Sequence, residues 1–333
     1  MPSRIPEGRL FDLVSHGRRG PGWRDRLSPA QIQQIARTVA RTPEVMVKVL
    51  PAGANSVAAV RQHLAYIGRQ GDVELQTDDG QRLQDRDAAA DLVEDWDLDL
   101  AECQSGLCGV QQGQRAPKLV HKLVFSMPAG TPADKVLVAT QGFCREQLAL
   151  KHRYALALHT DEPHPHVHVI IKAISEQGER LNIRKATLRQ WREEFANQLR
   201  RVGVAANATP RFVRGETRPR KPDGIYRAAR RGASTHMRDR VEAAAVALRT
   251  ADRVGEPAKL RLRETRHELE RGWLATSEAL RSQRQNALAE QARHFVRSLL
   301  PARTEREWLV AGLVGQVQGN RERERTDHLA KSR

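Results

Sequence analysis

The stretch that decides the fold begins Tyr154-Ala155-Leu156-Ala157-Leu158-His159 and continues Thr160-Asp161-Glu162-Pro163-His164-Pro165. It closes with His166-Val167-His168-Val169-Ile170-Ile171-Lys172-Ala173. The first and last segments read as strands, and the tight, proline-containing loop between them makes an antiparallel hairpin. Side chains alternate along a strand, so His166 and His168 share one face while Val167 and Val169 take the other. His159 ends the partner strand beside His166, with Leu156 and Leu158 on the face opposite to it.

Outward from the hairpin, Val45 to Leu50 is β-rich and ends at Pro51-Ala52-Gly53, a strand and a turn. Ser56 is an N-cap for a helix reaching about Arg69. Gly71 to Leu83 carries the turn signal Asp78-Asp79-Gly80 and is expected as a hairpin. Residues 85–103 are acidic and helical in pattern, 106–117 a loop, and 120–127 a second good strand. Thr131-Pro132-Ala133-Asp134 predicts a cap, a proline at the first helical position and a helix to about Leu150. Gly178 turns into a further expected strand over 180–184. Leu188, Trp191, Phe195, Leu199 and Val202 then repeat at helical spacing. Mixed elements with antiparallel neighbours predict an α+β fold, a central antiparallel sheet flanked by helices, rather than a doubly wound one.

Around this region, 43–210, the chain divides by composition. Residues 1–42 form a basic arm with a short helix from Ser28-Pro29 to Ala40. Residues 211–240 hold ten basic residues against three acidic ones and read as an extended basic linker. Residues 241–333 form a helical C-terminal region with a charged end.

The whole chain has 333 residues, 56 Lys plus Arg against 40 Asp plus Glu, a formal charge of +16 and a pI near 10.6. That excess points to a polyanionic partner. No secretory signal follows the N-terminus and no window approaches the ~18 apolar residues of a membrane helix, so a cytoplasmic protein without membrane insertion is expected. Cys103, Cys108 and Cys144 are too few and too odd for a disulfide framework, and no further ligands follow Cys103 and Cys108 at zinc-ribbon spacing.

His159, His166 and His168 supply three imidazoles converging on one face, the number and type that one divalent cation needs with sites left for substrate. Asp161 and Glu162 are near enough to orient a ligand or accept a proton. Nitrogen ligation favours Mn, Co, Ni and Zn over Mg, so the sequence does not name the ion. Of three tyrosines, Tyr154 alternates with Leu156 and Leu158 and faces the core, and Tyr226 lies in the basic linker. Tyr66 stands apart. The stripe Val57, Val60, Leu64, Ile67 is the packing face of its helix, and Tyr66 lies roughly 140° away, beside Gln62 and Arg69. A phenol activated by nearby positive charge, next to a metal that polarises a phosphate, is a candidate nucleophile.

These motifs together resemble a conjugative relaxase of the P-type mobilisation class, in the HUH endonuclease superfamily. The HUH element is His166-Val167-His168, within His159-x-Asp161 and His164-Pro165-His166-Val167-His168. His63-Leu64-Ala65-Tyr66-Ile67 resembles the nucleophile motif, and 120–128 with Ser126 an intermediate strand motif. Tyrosine before the histidine motif is the relaxase order; rolling-circle initiators have the reverse.

The resemblance spans about 45–205. It implies an HUH-type sheet and single-strand nicking at an origin of transfer, giving a 5′-phosphotyrosyl link and a free 3′-OH. It further implies Tyr66 as nucleophile, Asp161 as its activator or a ligand-orienting group, and His159, His166 and His168 as ligands of a divalent ion, Mg²⁺ or Mn²⁺. The expected partner is single-stranded origin DNA, and the expected setting the bacterial cytoplasm, with passage to the recipient. Arg69, Arg184, Lys185, Arg189 and Arg192 are candidate DNA contacts, which would make binding salt-dependent without reading sequence. The helical tail could dimerise, bind relaxosome accessory proteins, or meet a type IV secretion coupling protein. Three alternatives stand beside this one: an HUH initiator or transposase using Tyr226, a non-catalytic DNA-binding protein with a structural metal, and a metal hydrolase using water.

Overall fold

A computed structural model describes residues 26–50, 55–107, 117–216, 225, 228–229, 231–249 and 257–315. Tyr226 and Cys108 lie outside the described residues, as does most of the expected 106–117 loop. The chain forms two compact units, Ala40–Ala208 and a second one joining Met1–Val39 to Thr209–Arg333.

The first unit is built on six strands: β1 (Met46–Leu50), β2 (Leu75–Thr77), β3 (Arg82–Leu83), β4 (Val120–Ser126), β5 (Tyr154–His159) and β6 (His166–Lys172). They lie in the order β1-β4-β6-β5-β2-β3, with every neighbouring pair antiparallel. This is the α+β sheet expected from the sequence. The register sets His159 directly opposite His166, and Ser126 of β4 opposite His166 on the other side.

Alternation gives the sheet two different faces. Val47, Leu123, Phe125, Leu156, Val167, Val169 and Ile171 point to one, where helices α5 (Ala133–Gln147) and α6 (Lys185–Arg201) cover them. Phe125 meets Phe143 and Phe195 there at ring separations of 4.8 and 5.1 Å. The other face presents small side chains, Ala155 and Ala157, with Ile170 and Val120. Against it pack α2 (Val57–Ile67), α3 (Ala88–Asp95) and α4 (Leu98–Leu107). Ser56 caps α2 by accepting from the Ala59 amide, and Val57, Val60, Leu64 and Ile67 are its buried stripe, as the spacing requires. Burying those four side chains stabilises the unit by roughly 1.5–3 kcal/mol each.

Three expectations about elements are corrected. Residues 180–184 form no strand beyond a single bridge between Ile174 and Arg180. The His121 imidazole donates to the Leu181 carbonyl, taking the acceptor a ladder would use. The helix expected at Thr131 opens one residue later, with Pro132 in the cap position at ψ 124°. Thr131 instead donates its hydroxyl to the Pro128 carbonyl. That helix ends at Gln147, and exposed Leu150 has a left-handed φ of 63°. The stretch 85–103, helical in pattern, is helical as expected, and it divides into two helices where fully buried Trp96 is followed by left-handed Asp97.

The second unit has its own core. Leu27 and Ile35, the latter on α1 (Pro29–Val39), pack with Val213, Trp273, Leu280 and Phe295. Its helices include α7 (Thr235–Arg249), α8 (Pro257–Ser282) and α9 (Asn286–Arg297). Of the segment expected as a basic linker, 217–224, 226–227 and 230 lie outside the described residues; 211–215 is a turn, and the Val213 carbonyl accepts from the Trp273 indole at 2.9 Å. By Thr235 the chain is already helical. Among the described residues no helix is long and apolar enough to cross a membrane.

Candidate active site

The three histidines of the hairpin meet on the sheet face that α2 covers. One nitrogen from each of His159, His166 and His168 lies within 4.8 Å of the others. His159 and His168 are 2% and 6% exposed, while His166 is half-buried at the rim. Backbone carbonyls orient two of the rings, as outer partners of metal ligands do. His159 donates Nε2–H to the Ile67 carbonyl at 2.7 Å, which leaves its lone pair on Nδ1. His166 donates Nδ1–H to the His164 carbonyl at 3.1 Å, which leaves Nε2. His164 thus contributes its backbone, and its own imidazole is exposed.

Burial, and then the charge of neighbouring histidines, pushes the His168 pKa down to about 3. Burial lowers His159 as well. These two imidazoles are neutral at pH 7 with lone pairs to give. His168 Nδ1 is buried without a hydrogen-bond partner. An orphaned polar nitrogen among converging imidazoles fits a divalent cation.

Tyr66 reaches the same place from the last turn of α2. It is 48% exposed, on the side away from the helix's buried stripe. Its ring lies 6.5 Å from that of His159 and 6.2 Å, edge-on, from that of His168. Asp161 follows β5 and forms an ion pair with Arg69, with its other oxygen 4.0 Å from His159 Nδ1. Arg69 also sits over the Tyr66 ring, its guanidinium carbon 5.1 Å from the centroid, and its Nη2 is 3.4 Å from His159 Nδ1.

One residue of the cluster had no role assigned from sequence. His63 lies one helical turn before Tyr66, stacked on it at 6.0 Å and 19°, and meets His168 edge-on at 6.0 Å. Burial lowers its pKa to about 4, helped by the charge of Lys122 on the sheet beneath. Its i, i+3 relation to Tyr66 was a readable signal, since such side chains are neighbours on a helix.

The other candidate DNA contacts fall elsewhere. Arg184, Lys185 and Arg189 are exposed where the chain enters α6, on the opposite face of the sheet from the histidines. The chain reaches them from Leu181, hydrogen-bonded to Ala173 just past the far end of β6. Arg192 donates to the Val47 carbonyl at 3.0 Å, tying α6 to β1.

Residues 76–203 match the family model described as relaxase, MobA/VirD2-like, nuclease domain. The match contains the His hairpin and begins ten residues after Tyr66. The chain is also similar to the T-DNA border endonuclease VirD2 of Rhizobium radiobacter, 25% identical over 189 residues, which are 52% of this chain and 43% of that protein. VirD2 of Agrobacterium fabrum strain C58 is 25% identical over 187 residues, 52% of this chain and 41% of its own length. The chain thus spans less than half the length of the curated relatives it matches.

Proposed function

We propose that this chain, which carries a MobA/VirD2-like relaxase nuclease domain of the HUH superfamily, nicks one strand of DNA at an origin of transfer with Tyr66 as the nucleophile. The observation that carries the reading is the approach of the Tyr66 ring to within 6.5 Å of His159 and His168. An exposed phenol beside three convergent imidazoles has a use in phosphodiester transfer and little in packing. The VirD2 proteins are border endonucleases by name, which supports the same class of cut here.

In the reaction the Tyr66 oxygen forms a bond to the scissile phosphorus and the bond from phosphorus to the 3′ oxygen breaks. The 5′ end is left on Tyr66, and the phenolic proton balances the departing 3′ oxygen as a hydroxyl. One ester replaces another, so the strand can be rejoined. His159, His166 and His168 would hold a divalent ion, Mg²⁺ or Mn²⁺, which supplies charge neutralisation at the phosphate. Tyr66 is carried by a helix whose buried stripe fixes it to the sheet, so the attacking atom is positioned before DNA arrives.

The substrate is single-stranded origin DNA. Relaxosome accessory proteins and a secretion coupling protein are the partners proposed for the helical unit, in the bacterial cytoplasm and during transfer to a recipient. To test the nucleophile, single strands tiled across the origin region are incubated with the protein and Mn²⁺ or Mg²⁺, and covalent adduct is read on a denaturing gel. Adduct with the unaltered chain and with Tyr226→Phe, and at least 100-fold less with Tyr66→Phe, is the expected result. Adduct persisting in Tyr66→Phe, or cleavage with no adduct, overturns it.

A further inference from the structure

Arg69 occupies an unusual backbone position. Helix α2 ends at Gly68, and Arg69 and Gln70 follow with φ of 50° and 57°, a left-handed conformation that non-glycine residues avoid. Such strain persists where the surroundings over-determine it, and it is enriched where function needs one placement of a side chain. Here the placement is specific. The guanidinium lies over the Tyr66 ring from α2, pairs with Asp161 beyond β5, and stands beside His159 Nδ1 at the end of β5. His63 stacks on Tyr66 from one turn earlier. The phenol is therefore held between His63 and Arg69, one turn to either side of it in sequence. Among the described residues its hydroxyl takes no hydrogen bond.

We propose that Arg69 is a positioning residue, a latch that fixes the Tyr66 ring against the His159 end of the sheet by bridging to Asp161, rather than a contact to the DNA backbone. The inference rests on Tyr66 being the nucleophile. Two arguments favour the latch. The side chains of Arg69 and Asp161 are 35% and 55% exposed, so the pair is reachable by DNA, yet its charges cancel and it offers a phosphate little attraction. Second, Asp161 reaches the tyrosine through Arg69, so removing either partner should release the same ring. Asp161 also offsets the guanidinium charge next to the three imidazoles, where a second positive charge would otherwise meet the ion.

The test uses the full chain and two probes. Binding of a labelled thymidine 30-mer is followed by anisotropy from 50 to 300 mM salt, and adduct formation is timed on the tiled origin strands at saturating DNA. A lost phosphate contact lowers the slope of log K against log salt by about 0.7 on a single strand. The latch predicts an unchanged slope for Arg69→Gln, an unchanged half-saturating DNA concentration, and an adduct rate at least tenfold lower. Arg69→Lys should fail to rescue the rate, because a compact ammonium cannot both lie over the ring and reach the carboxylate as the planar guanidinium does. Asp161→Asn should fall comparably, and the double variant Arg69→Gln/Asp161→Asn should be no slower than either single one.

A slope lowered by about 0.7 with a normal saturated rate overturns the latch in favour of a phosphate contact. Additive losses in the double variant overturn it too. If Tyr66→Phe still forms adduct, the nucleophile reading fails instead, and the salt slope still decides what Arg69 does. Circular dichroism melting of each variant separates unfolding from these outcomes.

Discussion

His63, His159 and His168 share one cause for their low proton affinity: each has given up water between α2 and the sheet, and an imidazolium there would also meet charged neighbours. The same physics acts on His121, which lies away from the site and reports it without a metal. His121 is buried with Nε2 donating to Leu181, and its pKa is pushed down to about 4, burial acting first and Lys118, Arg180 and His152 adding to it. A folded-state pKa below the unfolded 6.5 means that the unfolded chain binds the proton first. Stability is therefore unaffected above about pH 6.5 and falls as the pH drops from there towards 4. Replacing His121 with Gln keeps a donor to Leu181 and removes the titration. Urea unfolding should show a loss between pH 6.5 and 4 that is shallower in His121→Gln by up to about 3 kcal/mol. Equal pH dependence in both chains would mean that His121 does not carry it.

At the scale of elements, the turn after α2 decides where the site residues go. Gly71 has φ +100°, and a Cβ there would stand 2.8 Å from the Asp85 carbonyl carbon. Gly80 has φ +89° but open space around it. Gly80→Ala should cost about 1–2 kcal/mol for the left-handed backbone alone. Gly71→Ala adds a backbone collision worth another ~1–3 kcal/mol, and because it shifts Arg69 it should slow adduct formation as well. Denaturant midpoints of the two variants check the ranking; equal midpoints would discount the collision.

The sheet itself was readable because period-two alternation at 154–159 and 166–172 comes from real ladders with unlike faces. The same alternation at 180–184 misled for a physical reason. Leu181 and Ile183 do pack against the core, but from a segment that crosses its edge and has no strand partner. The His-x-His pair, with His159 across the ladder, made the convergence of three imidazoles legible. The Arg69–Asp161 contact joins residues 92 positions apart through a left-handed turn, and no local pattern carries it.

At the scale of the molecule, the net charge and the sheet that carries the histidines fall in different units. The unit Ala40–Ala208 contains 21 basic and 21 acidic residues, so the entire +16 resides in the second unit, 35 basic against 19 acidic. The unit that holds the His hairpin and Tyr66 therefore carries no net charge of its own. Arg184, Lys185 and Arg189 are cations of a neutral unit, at the start of a helix across the sheet from the histidines. Counterion release follows the local density of fixed cations, so salt-dependent DNA affinity should come from the second unit. Residues 218–231 concentrate it, with Arg218, Arg220, Lys221, Arg227, Arg230 and Arg231 against Asp223. Two full-length variants decide the matter, one with those six changed to Gln and one with Arg184, Lys185 and Arg189 changed to Gln. Binding of the thymidine 30-mer across a salt series should lose slope in the first, by about 0.7 for each contact removed. The second should stay close to the unaltered chain. A steeper loss from the three substitutions at the start of α6 than from the six would place the DNA path there, in the unit that holds the histidines.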